Sequence, residues 1–264
     1  MSLQSVLFDA QTQYARSGED DLGKVLVDLL ADRAGQEGRT LRTLALNEAI
    51  TSAPKLTEEQ RCVIGLVFIL RYARFVGAGN AQKLYESFIK PSVLPLAAHM
   101  PDKQADYQHI EYVGAGSISL SEIKFGDVIR SGSEGLFTKG FDLEDLPDEW
   151  DLTDVSQYGI RRSIRDFQKW QVNAGSVQDV EEVAANLGKP AIADQLRKLF
   201  EKGIMTGQDV LEELKVLDPD VAEASKKWDD SAAKNLTLTT VGIAIGHAYW
   251  RRVTGNDAPL SIWL

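Results

Sequence analysis

The sequence predicts a mainly α-helical protein, a bundle packed around one wholly apolar helix, and three observations carry this. Residues 62–70, Cys-Val-Ile-Gly-Leu-Val-Phe-Ile-Leu, are apolar on every face, which is the signature of a buried helix or a membrane span. Nine residues are too few for a span, which needs about 20, so the segment reads as the axis of a bundle. The flanking segments carry apolar residues at helical spacing. Strand signals, by contrast, are few and short.

The chain divides on this reading into a helical bundle over 1–100, an irregular acidic connector over 101–151 and a short-helix subdomain over 152–264. In the bundle, Val6, Leu7, Ala10 and Tyr14 share one helix face. Ser17 is placed as the cap of the next helix, whose Leu22, Val25, Leu26, Leu29 and Leu30 follow the i, i+3, i+4, i+7, i+8 spacing. Gly35 and Gly38 end it. Thr40 caps a third helix carrying Leu41, Leu44, Ala45 and Ala49, ended by the Ser52-Ala53-Pro54 turn. Thr57 and Gln60 have the spacing of a capping box for the apolar helix, which Arg61, Arg71 and Arg74 bracket. After Gly77 and Gly79 a fifth helix carries Leu84, Phe88 and Ile89 until Pro91 and Pro95 disrupt it.

In the connector a helix over 107–113 stops at Gly114, and Ser117-Ile118-Ser119-Leu120 alternates as a strand does. Phe137, Phe141 and Trp150 are its apolar anchors. Beyond it, Val155, Ile160, Ile164 and Phe167 mark one helix, and Val177, Val180, Ala184 and Leu187 the next. Residues 190–203 form another, and 210–228 read as helical. Residues 180–205 resemble the helix-turn-helix of winged-helix domains, and Leu238-Thr239-Thr240-Val241-Gly242 resembles the step from the second wing strand into a final helix. About thirty residues separate the two candidate wing strands, which departs from that pattern. Two readings stay open, a winged-helix-like arrangement with a small β wing and an ordinary helical subdomain. The final residues Leu260, Ile262, Trp263 and Leu264 are too apolar to be left in water and are expected to dock.

The charge pattern narrows the function classes. The net charge is −10, and residues 131–156 hold one basic residue against eight acidic ones. A nucleic-acid binder normally carries a basic surplus, and the candidate recognition helix offers only Arg197 and Lys198 beside Asp194. Arg161, Arg162, Arg165 and Lys169 form a candidate anion-binding stripe, since 161, 165 and 169 are one turn apart on a helix. The alternative, which the sequence favours, pairs that stripe with the acidic residues of 144–154. Cys62 is the single cysteine and lies in the core helix, so no disulfide framework arises. His99, His109 and His247 have no metal-ligand spacing, and no phosphate-binding loop or dinucleotide fingerprint is present. No cofactor, metal or membrane segment is therefore expected, and a cytoplasmic protein is. Met1-Ser2-Leu3 runs at once into a helical pattern, as though the start were cut into a longer chain.

Several phrases together resemble a family of uncharacterised bacterial proteins that carry locus-style names. These are Tyr14-Ala15-Arg16-Ser17-Gly18, Leu26-Val27-Asp28-Leu29-Leu30-Ala31-Asp32-Arg33, Leu46-Asn47-Glu48-Ala49-Ile50, Ala53-Pro54-Lys55-Leu56-Thr57 and residues 238–246. The resemblance implies no activity. The residues themselves favour a non-enzymatic protein-interaction module, self-associating or binding another protein. The alternatives are a metal-dependent hydrolase or nuclease using Asp28, Asp32 and Glu48, and nucleic-acid binding through the C-terminal region.

Overall fold

The computed structural model describes residues 3–73 and 78–264 and is mainly helical. Arg74 and Gly77 of the sequence reading lie outside the described residues. By their contacts the residues form two compact units. The first comprises Met1–Ala73, Phe88–Phe125 and Asp220–Leu264, and the second Arg74–Ser87 and Gly126–Pro219.

The first unit begins with α1 (Leu3–Ser17), α2 (Asp20–Ala34), α3 (Leu41–Ser52) and α4 (Glu58–Arg71). The capping box of α4 forms as its sequence predicts. Thr57 accepts from the Gln60 N–H at 3.3 Å, and the Gln60 side chain accepts from the Thr57 N–H at 3.1 Å, satisfying two N–H groups that a helix start leaves without partners. Every residue from Gln60 to Leu70 is buried. Against this axis pack α13 (Thr240–Thr254), α6 (Leu94–Ala98), α7 (Gln104–Tyr112) and the strand β4 (Leu236–Leu238). The α4–α13 contact is close because glycines face it. An ideal Cβ on Gly65 would lie 2.7 Å from the Tyr249 Cβ, and one on Gly246 2.5 Å from the Phe68 Cβ. Phe68 sits under the rings of Tyr72, His247, Trp250 and Trp263.

The alternating segment forms β1 (Gly116–Ile118), which pairs antiparallel with β4, Ser117 opposite Thr237. α12 (Asp220–Asp230) completes this unit. The final segment docks on it, with Leu260 buried and the Trp263 Nε1–H donating to the Tyr72 carbonyl at 2.9 Å.

Several expectations are corrected. Ser17 ends α1, and Glu19 takes the cap position of α2 without a side-chain cap bond. Leu41 and Leu44 are 63% and 43% exposed; Leu46 and Ile50 take the core face of α3 instead. Pro91 does not stop its helix, because α5 (Ala81–Leu84) runs on as a π-helix over Tyr85–Val93. The wider turn tolerates the missing N–H that an α-helix would need.

The second unit has a core of Phe141, Leu146, Trp150, Ile160, Val172, Val180, Leu196 and Phe200. Phe141 and Trp150, anchors of the acidic stretch, are thus structural. Residues 155–167 form no α-helix. A 3₁₀ turn, Val155–Tyr158, ends at Gly159 with φ 72°, and β2 (Ile160–Arg162) then pairs antiparallel with β3 (Trp170–Val172). α8 (Phe125–Ser131), unforeseen in the sequence, opens this region. α9 (Val180–Asn186), α10 (Ala193–Gly203) and α11 (Gly207–Leu217) follow. The wing is not formed as expected. Ile204 bridges to Thr138, and Leu236–Leu238 pairs with Gly116–Ile118.

Candidate functional site

The basic stripe does not converge. Arg161 and Arg162 lie on β2 and Lys169 just before β3, so the helical spacing that aligned them is lost. The Arg162 guanidinium lies 3.9 Å from the centre of the Trp170 ring, and its Nη1–H donates to the Phe167 carbonyl. Arg165 pairs with Glu213, and Lys169 pairs with Asp142 at 2.6 Å. Among the described residues none of the four forms an ion pair with the acidic residues of 144–154; Asp142, the partner of Lys169, lies just before them. On α10, Arg197 is engaged by Glu181 at 2.5 Å and Asp194 at 3.3 Å.

Of the acidic trio, Asp28 and Asp32 stand one turn apart on α2 and Glu48 lies on α3. Asp32 accepts from Arg251 Nη1 at 2.9 Å and stands 3.5 Å from the His247 Nδ1. Asp28 lies one turn away on α2, and burial pushes its carboxyl up from the usual range, with Arg251 and Arg252 opposing. Glu48 is exposed on α3. Among the described residues no three His, Cys, Asp or Glu side chains stand close enough to hold a metal ion.

A buried ion network does exist where α2, α4 and α13 meet. Arg61, expected to bracket the apolar helix, is fully buried. It reaches Glu19 at 2.6 Å and Asp21 at 3.4 Å, and its Nη1 donates to the Leu56 carbonyl at 2.6 Å. Asp21 also accepts from the Tyr249 hydroxyl and from Arg252 at 3.0 Å. Burial works against ionisation of Asp21, but those hydrogen bonds and the charges of Arg252 and Arg61 hold its carboxyl below the ordinary range. Burial pushes the Cys62 thiol beside this network up to about 12, helped by Asp21 and Glu58. A thiol so far from ionisation supplies no thiolate nucleophile at neutral pH. The network fastens α2 to the bundle.

It also fixes one end of an open apolar groove. Leu7, Ala10, Gln11 and Tyr14 of α1 face Gly23, Leu26, Val27 and Leu30 of α2 across a cavity of about 670 Å³. Asp20, Lys24, Asp28 and Arg252 stand on its rim. The helices approach closely because the Tyr14 ring lies over Gly23, where a Cβ would be 2.6 Å from the ring. Val27, in the groove wall, is 65% exposed, and Phe8, outside the groove lining, is 66% exposed. The sequence placed Leu7 and Tyr14 on one helix face with Val6 and Ala10, yet Leu7 and Tyr14 are each about two-fifths exposed while Val6 and Ala10 are buried. The signal that could have found the groove was there: α1 carries more apolar residues than one buried face uses.

A family model matches residues 2–264. The chain belongs to that family, which is uncharacterised and carries a locus-style name. The match spans the residues of both units. No curated protein and no solved structure matches the chain. Among the described residues no helix is long and apolar enough to cross a membrane.

Proposed function

We propose that this chain is a non-enzymatic protein-interaction module that self-associates through the α1–α2 groove. The observation that carries the reading is the exposed apolar surface of the α1–α2 hairpin, the groove with Val27 in its wall, and Leu3 and Phe8 exposed on α1. Surfaces of this kind, rimmed by charge, mark association sites. A second copy is the favoured occupant because the patch complements itself. Asp20, Lys24 and Asp28 line one edge at i, i+4 and i+8, an acid–base–acid stripe. An antiparallel two-fold pairing whose axis lies between Lys24 and Asp28 sets each Lys24 against Asp28 of the other copy. Two α1–α2 hairpins joined this way make a four-helix bundle. The enzyme and nucleic-acid readings gain no comparable support, since among the described residues the acidic trio makes no metal-holding cluster, Asp32 is engaged by Arg251, and Arg165, Lys169 and Arg197 are held in ion pairs.

Sedimentation equilibrium over a range of concentrations tests this. The native chain is expected to show twice the single-chain mass at high concentration, and Val27→Asp to remain at the single-chain mass while keeping its helical spectrum. A single-chain mass for the native protein throughout would overturn the reading.

A further inference from the structure

A second cavity, of about 730 Å³, opens between the end of α2, the α2–α3 loop, α3 and the first turn of α13. Arg33 is its unusual member. It is 8% exposed, and it enters no ion pair among the described residues. Its Nε donates to Asn47 Oδ1 at 2.8 Å and its Nη1 to the Gln36 carbonyl at 3.2 Å. Both acceptors are neutral, and Nη2 donates to no protein acceptor among the described residues. A guanidinium cannot shed its charge in a protein, and a buried charge without a counter-charge is costly.

Two further features point positive charge into the same space. Arg39, exposed in the α2–α3 loop, lines the cavity. So do Thr240 and Val241 in the first turn of α13. The Thr239 side chain accepts from the Gly242 N–H at 3.3 Å, and the N–H groups of Thr240 and Val241, in the first turn of this fifteen-residue helix, meet no acceptor among the described residues. Such a terminus favours anions. The lining holds one opposing charge, Glu48, which is exposed. Leu41 and Leu44 add apolar wall, and their unexpected exposure is accounted for if they face the carbon skeleton of a ligand.

We propose that this cavity binds a small organic anion through a carboxylate or phosphoryl group. Arg33, Arg39 and the first-turn N–H groups of α13 hold the oxyanion, and Leu41 and Leu44 cover the apolar part. Amide NMR of the isotopically labelled full chain tests it, with benzoate and phenyl phosphate as separate probes that share a ring and differ in the anion. The Thr240 and Val241 signals are expected to move and saturate with at least one probe, and the probe that saturates them identifies the anion. Arg39→Ala, an exposed change that spares the fold, is expected to weaken that binding about tenfold, as loss of one charge-assisted contact does. Glu48→Gln is expected to tighten it. If neither probe moves those amides, or if the shifts are undiminished in Arg39→Ala, the site is overturned.

Discussion

Gly246→Ala sets two effects against each other. Alanine is favoured over glycine inside a helix by roughly 1 kcal/mol, so on propensity alone the variant gains stability. The structure reverses the sign. The new Cβ falls 2.5 Å from the Phe68 Cβ and 3.2 Å from the Ile64 carbonyl oxygen. The Phe68 side chain is fully buried among four rings, so α4 and α13 must move apart. Overpacking of this kind costs typically 1–3 kcal/mol, occasionally more, and at a backbone-to-backbone crossing the upper part of that range applies. The net expectation is a loss of about 1–2 kcal/mol. Gly23→Ala is the control. Its Cβ meets the far edge of the Tyr14 ring at 2.6 Å, but Tyr14 is 42% exposed and can swing outward, so this variant is expected to be neutral or slightly stabilised. Urea unfolding of both, followed by tryptophan fluorescence and circular dichroism, supplies the comparison. A Gly246→Ala protein as stable as the native one would refute the close α4–α13 crossing.

Phe68→Ala is expected to cost about 3–5 kcal/mol through the cavity left among those rings; a midpoint within error of the native value would displace α4 from the core. Thr57→Ala removes the acceptor for the Gln60 N–H and should lower stability by about 1 kcal/mol in the same assay. Cys62, with its thiol raised from 9.0 to about 12, ionises in the unfolded chain before the folded one. Its contribution to stability is therefore complete below pH 9 and lost as pH rises toward 12. Tyr249, also pushed up by burial and by its bond to Asp21, adds in the same direction. An alkaline titration of the unfolding midpoint that stays flat across that window would contradict the buried network. Deleting residues 259–264 removes Leu260 and Trp263 from the bundle and should lower the melting temperature; an unchanged value would mean that the segment adds nothing.

The axis of the bundle was legible because its signal is local. Residues 62–70 are apolar whichever face is considered, and Thr57 with Gln60 fixes the start within one turn. Pairing was not legible in the same way. The alternation at Ser117-Ile118 marks a strand, but its partner lies 120 residues on at Thr237, and no local pattern names a partner at that distance. The hairpin at 160–172 was misread because Ile160, Ile164 and Phe167 happen to have helical spacing. Gly159, in the left-handed region at φ 72°, is the residue that argued against a helix through that point. On the functional side, apolar spacing told that Leu7, Tyr14, Leu41 and Leu44 lie on helix faces, but not whether another helix covers those faces. That depends on how neighbouring helices end and turn, and the α1–α2 groove and the cavity beside α3 lie at such uncovered faces. Asp32 and His247 met across 215 positions with no sequence sign of it, through the packing of α2 against α13.

Self-association through the α1–α2 groove is the central functional claim, and a distance measured across the groove tests it most directly. Gln11 lines the groove and is exposed, while the native Cys62 is buried. A spin label on Gln11→Cys therefore reports from one position per chain. Helices paired at 8–10 Å across a two-fold axis place the two labels within roughly 20–30 Å of each other. Pulsed dipolar spectroscopy is expected to show such a distance in the singly labelled chain and to lose it in the Val27→Asp background. The absence of any inter-label distance at concentrations where the chain has twice its single-chain mass would contradict the account, because the copies would then meet through another face.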